Sequence, residues 1–307
     1  PGITRGESNR YNRLRDAWFH DAAVALLGEQ REHFLDDYKF NLTPSTDDRP
    51  HFFHFFKWRT LEEVLQLRER GGAPLTDAGY LVLVATLAQA VIASLLLILL
   101  PIWLYQRRIG AVQKTVRRSS VVGYFLVLGL AFLFVEIAFI QKFILFLHHP
   151  LYAIAVVLSS FLVFSGLGSA WSGRAPAAAR GRWLGWAVTG IVIFGTLYLL
   201  SLCSLLEQLT RLPDVTRILV SAALIAPLAF CMGMPFPLGL ARLADYAPEL
   251  MPWAWAINGC ASVISAVLAT LLAIHLGFAT VIAVALLLYA LALWLFPAPC
   301  KQSSAAG

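Results

Sequence analysis

Residues 121–147, VVGYFLVLGLAFLFVEIAFIQKFILFL, form an unbroken apolar run interrupted only by Glu136, Gln141 and Lys142. At 1.5 Å per residue such a run is about 40 Å long as a helix, more than the roughly 30 Å hydrocarbon core of a bilayer. Lipid offers the backbone no hydrogen-bond partner, so a run of this kind must be helical, and no ten-residue apolar/polar alternation of the barrel type is present. Six further stretches read the same way, giving spans at Leu81–Tyr105, Val121–Leu147, Leu151–Trp171, Trp183–Leu206, Ile218–Met232, Pro252–His275 and Phe278–Phe296. The composition agrees: 59% of residues are hydrophobic and 14% charged, outside the usual range for soluble domains. The expected fold is therefore all-α, a polytopic membrane bundle of about seven transmembrane helices preceded by a short extramembrane segment.

Three regions follow. Residues 1–80 mix charges, aromatics and helix signals without a spanning run. Trp18, Phe19, Ala22, Val24, Leu26 and Leu27 outline one amphipathic helix, and Trp58 to Leu67 another lying along the membrane surface. Neither is large enough to build a domain core. Residues 81–300 are the bundle, and 301–307 a polar tail. The opening Pro1-Gly2-Ile3 reads as part of something larger, so a protein partner or a missing N-terminal domain is expected.

Loop charges predict orientation, because Lys and Arg near span ends stay cytoplasmic. Arg107, Arg108, Lys114, Arg117, Arg118, Arg174, Arg180, Arg182, Arg242 and Lys301 fall on one side, and only Arg211 and Arg217 on the other. The C-terminus is then expected in the cytoplasm and residues 1–80 outside. The net charge of +6 is mostly this topology signal, so nucleic acid is not an expected partner; the lipid bilayer is. Cys203, Cys231, Cys260 and Cys300 show no CxxC spacing and read as apolar packing.

Chemistry is most plausible at Glu136. It lies about 16 Å from the outer end of its span, near the bilayer middle, where an ionisable group is a functional candidate. A proton relay or cation-binding carboxylate is its natural role; a structural carboxyl held by a neighbouring helix is the equal alternative. Gln89, about 13 Å deep, and Tyr198, about 12 Å deep, match it in depth. Gln141 follows in the same segment, and Lys142 is expected to carry its ammonium outward to the headgroups.

A second constellation gathers on the outer face: His148, His149 and His275 at span ends, His51 and His54 in the N-terminal segment, and Asp47, Asp48 and Arg49 beside them. Histidine with carboxylate suits zinc or a pH response, yet no HxxxH or HxxEH spacing occurs, and no metal is expected. No span interior contains His, which argues against a b-type haem, and Gly166-x-Gly168 lacks the strand-to-helix context of a nucleotide loop; no cofactor is expected. Gly233, Pro235 and Pro237 predict a broken or bent segment over Met234–Leu238, and small residues in both glycine stretches allow close helix approach.

Three blocks in one order resemble bacterial fused transporter/spermidine-synthase-like membrane proteins. They are residues 44–56 (PSTDDRPHFFHFF), the segment from Phe134-Val135-Glu136-Ile137 to His149-Pro150-Leu151-Tyr152, and MGMPFPLG (232–239) with PWAWAING (252–259). The likeness runs from about Asn41 onward. It implies a membrane portion similar to the major facilitator architecture that accompanies a Rossmann-like domain, in the bacterial inner membrane. Residues 1–80 contain no glycine-rich strand-to-helix turn for a nucleoside ligand, so no catalytic residue carries over. The expected function is a structural or accessory module that anchors a soluble domain or packs in a larger membrane complex. The alternative is a transporter-like module binding a small, cationic solute or proton through Glu136. An enzyme acting by itself ranks third.

Overall fold

The computed structural model describes residues 17–42, 44–50, 54–60, 78–101, 103–104 and 116–298, and among them every regular element is helical. Two compact units emerge, one containing residues up to Thr46 and Pro50–Val82, the other Asp47–Arg49 and the chain from Leu83 onward.

The N-terminal unit holds α1 (Trp18–Leu27) and α2 (Arg31–Asp37). Trp18 packs on Phe19 at 5.3 Å and on Tyr38 at 5.6 Å, and Tyr38 stacks on Phe34 at 5.7 Å. The Lys57 ammonium donates to the carbonyls of Leu35, Asp36 and Tyr38 at 2.7, 3.1 and 3.0 Å, satisfying the open carbonyls at the C-terminus of α2 where the helix dipole favours a cation. Of the second amphipathic helix only the 3₁₀ turn Trp58–Thr60 is described; Leu61–Leu67 lie outside the described residues, as does the tail 301–307.

The bundle comprises α3 (Ala78–Ser94, continued by a π-helical stretch Leu95–Leu99), α4 (Arg118–Leu147), α5 (Pro150–Ser172), α6 (Arg180–Leu209), α7 (Asp214–Met232), α8 (Pro235–Tyr246), α9 (Met251–Leu276) and α10 (Phe278–Leu295). Seven of the helical stretches are long and apolar enough to span a membrane. The protein is thus a multi-pass helical bundle compatible with a bilayer, and the helices match the expected spans to within a few residues, except that Tyr105, the expected end of the first, lies outside the described residues.

Helix α4 is the hub, packing most extensively on α9 and α10 and also on α5, while α5 pairs with α7 and α6 with α10. Small residues permit the closest crossings. A Cβ on Gly129 would stand 2.6 Å from the Asn258 carbonyl oxygen of α9. One on Gly168 would strike the Phe230 carbonyl, and one on Gly233 the Ser165 carbonyl. The two glycine stretches of the sequence are therefore the two faces of the α5–α7 crossing. Polar groups tie helices together as well: Ser265 Oγ donates to the Leu130 carbonyl at 2.8 Å, Asn258 Nδ2 to that of Phe125 at 3.2 Å, and Tyr124 Oη to that of Pro235 at 2.6 Å.

The interruption expected over Met234–Leu238 falls at Gly233–Met234. Helix α7 ends at Met232 and α8 restarts at Pro235, with Pro235 and Pro237 in its first turn, where missing N–H groups cost nothing. At 12 residues α8 is too short to span. Arg180 pairs with Asp245, and Arg242 Nε donates to the Pro297 carbonyl at 3.1 Å, so α8 is tied to the end of the bundle that carries Arg118, Arg174, Arg180, Arg182 and Arg242. The opposite end carries His148, His149, Arg211, Arg217 and His275.

Candidate functional site

Glu136 sits half-buried near the middle of α4. Its helix supplies most of the bundle's aromatic filling: Phe139 stacks on Phe143 at 5.9 Å and meets Phe161 of α5 at 5.6 Å and Tyr198 of α6 at 5.8 Å, both edge-on. The carboxyl lies within electrostatic reach of the Tyr289 phenol of α10. Among the described residues it makes no hydrogen bond or ion pair, and it lines neither of the two cavities described below. The depth-matched candidates do not hold it. Tyr198 donates its hydroxyl to the Leu224 carbonyl of α7, and Gln89 is on an exposed face of α3. Gln141 is half-buried one turn further on.

Lys142 departs from the expectation of an ammonium drawn out to the headgroups. Its side chain is 10% exposed, and Nζ lies 3.4 Å from Asp48 Oδ1 and 3.6 Å from Cys203 Sγ. Asp48 is anchored in turn: its backbone carbonyl accepts the Phe278 N–H at 3.0 Å and Oδ1 accepts that of Ala279 at 2.8 Å. These are open donors of the α10 N-terminus, so Asp48 caps that helix from 231 residues away in sequence. Gly277 makes room for it. With φ +88° and ψ 159° this residue occupies a region open essentially to glycine alone, and a Cβ there would strike the Asp48 carboxylate. The three-residue turn Asp47–Arg49 is thus clasped to the bundle.

Beside the clasp is a small cavity of about 90 Å³ lined by Asp47, Lys142, Leu145, Cys203, Glu207 and Thr210, enough for a few waters. Arg217 of α7 closes the neighbouring turn, donating to the Thr210 carbonyl and standing 3.7 Å from Asp214.

His148, His149 and His275 belong to the bundle and His54 to the N-terminal unit. His148 is the left-handed cap of α4 (φ 58°) and His149 precedes α5, its ring 5.4 Å from Tyr152. His275 is exposed in the last turn of α9. In the N-terminal unit the His54 ring packs 4.8 Å from Tyr80; His51 lies outside the described residues. Among the described residues no three His, Cys, Asp or Glu side chains are grouped to hold a metal ion.

A feature that residue-by-residue reading passes over lies at the arginine-rich end. A cavity of about 610 Å³ is lined by Trp171, Arg182, Trp183, Trp186, Ala187 and Met234, among others. The Arg180-Gly181-Arg182-Trp183 run, read against Trp171 at the end of the preceding helix, is its sequence signal. When the chain is compared with known proteins, no family model, no curated protein and no solved structure matches it.

Proposed function

We propose that this chain is a membrane-embedded structural module that packs against a protein partner or anchors a soluble domain, as the resemblance to fused transporter/spermidine-synthase-like proteins implies. The observation that carries the reading is Glu136: a half-buried carboxyl near the middle of α4 that makes no hydrogen bond or ion pair among the described residues. Against lipid such a group costs on the order of 3 kcal/mol or more, whereas a donor on a neighbouring protein relieves that cost. The aromatic filling around Phe139 and Phe143 favours a dry interior over a solute path. The exposed apolar face of α3, with Val82, Ile92, Leu95, Leu96 and Leu97, adds surface for association.

The second reading, a transporter-like module that moves a proton or small cation, rests on the same unpartnered carboxyl. One experiment separates them. The chain is extracted from its native membrane and its assembly mass measured by light scattering for the wild type, Glu136→Gln and Glu136→Leu. In parallel, Glu136→Cys, with the four native cysteines replaced by alanine, is treated with a membrane-impermeant thiol reagent. The structural reading expects an assembly larger than one chain, retained in Glu136→Gln and lost in Glu136→Leu, with Cys at 136 unlabelled. A single-chain mass together with labelling at 136 would reverse it in favour of the solute path.

A further inference from the structure

The cavity at the arginine-rich end has two chemically distinct parts. Its wall is apolar: Trp171 from the end of α5, Trp183, Trp186 and Ala187 along α6, and Met234 beyond α7. Among the described residues its one charged lining group is Arg182, in the first turn of α6. Arg174 adjoins it, with its guanidinium 4.6 Å above the Trp171 ring. Other arginines at this end are engaged, Arg180 with Asp245 and Arg242 with the Pro297 carbonyl. Arg174 and Arg182 make no ion pair among the described residues.

The size, about 610 Å³, falls within the ~300–1,000 Å³ of small-molecule sites. Trp186 lines the cavity while remaining 81% exposed, so the space opens outward rather than into the core. Tryptophan belts mark the headgroup level, basic pockets between spans at that level recognise anionic headgroups, and the N-terminal turn of α6 adds favourable dipole potential for an anion. An occupant must therefore join an apolar chain to a negative head at the membrane surface.

We propose that this cavity binds one anionic phospholipid, with its phosphate held by Arg182 and Arg174 and an acyl chain lying along Trp183, Trp186, Ala187 and Met234. The site is independent of Glu136 and of any partner. The test is native mass spectrometry of the purified chain in detergent, titrated with phosphatidylglycerol or phosphatidylcholine of identical acyl chains. Two guanidiniums predict a preference for phosphatidylglycerol on the order of 25-fold, falling about fivefold in Arg182→Gln. Ala187→Phe, which fills the apolar part, weakens both lipids. Should that buried substitution disturb the fold, as read by helical circular dichroism, the exposed Trp186→Ala takes its place and is expected to weaken both lipids likewise. Equal binding of the two lipids by the wild type, or an undiminished preference in Arg182→Gln, overturns the proposal. So does complete displacement of phosphatidylglycerol by excess inorganic phosphate, which would mark the site as one for free phosphate.

Discussion

Helices α3 and α4 have nearly equal mean hydropathy and opposite fates. Among the described residues of α3 only Ser94 is buried, touched by the Cys260 thiol at 3.7 Å, whereas α4 buries residues along its whole length, from Val121 to Leu147. Hydropathy measures transfer into an apolar medium, and lipid and protein interior satisfy it equally well. What distinguishes α4 is shape: Gly129 admits a neighbouring backbone, and phenylalanines on successive turns interlock with α5 and α6. The branched aliphatics of α3 offer neither.

This contrast is sharpest under substitution. Gly129→Leu forces a side chain onto the Asn258 carbonyl and is expected to cost more than 3 kcal/mol, read as loss of the folded, monodisperse species in detergent, whereas Gly79→Leu, with nothing near it, leaves that species intact. Equal damage from both would break the comparison. Next in size, Phe139→Ala empties a fully buried aromatic site and is expected to cost about 3–5 kcal/mol in denaturation by sodium dodecyl sulfate, against less than ~0.5 kcal/mol for Leu97→Ala, which is 75% exposed. A large effect at Leu97 would reveal a partner pressed on α3.

Two smaller effects test whether the clasp at the histidine-bearing end extends α4's network to residues 47–49. Gly277→Ala combines a backbone region reserved for glycine with a collision against Asp48, for an expected loss of about 1–3 kcal/mol in the same denaturation assay. Asp48→Ala removes the α10 cap and the Lys142 partner, an expected loss of about 0.5–2 kcal/mol, the usual range for a cap. If the two share one mechanism, Gly277→Ala made in the Asp48→Ala background costs measurably less than it does alone, and full additivity would separate them.

Much of the architecture was legible in the residues because a bilayer leaves a long apolar run only one choice, a helix with every backbone bond made internally. The seven spans, the alternation of basic and histidine-bearing ends and the close-packing role of Gly168 and Gly233 follow from local pattern. Partnership does not. Lys142 and Asp48 are 94 residues apart in the chain, and Asp48 meets Ala279 across 231, so no periodicity or motif announces the cap. Tyr198 has the right depth for Glu136 but the wrong direction, because rotation about a helix axis is set by packing on neighbours and not by position along it. Gly233, Pro235 and Pro237 announced an interruption, which falls at Gly233–Met234, but not that Pro235 and Pro237 would open the next helix. The sequence by itself determined which segments are apolar enough to enter a membrane and how their ends are charged, since those are sums over local residues. The tertiary structure decided which carboxylates find a cation, which faces stay open and where tryptophans enclose a cavity, since each depends on side chains that meet only after the helices have crossed.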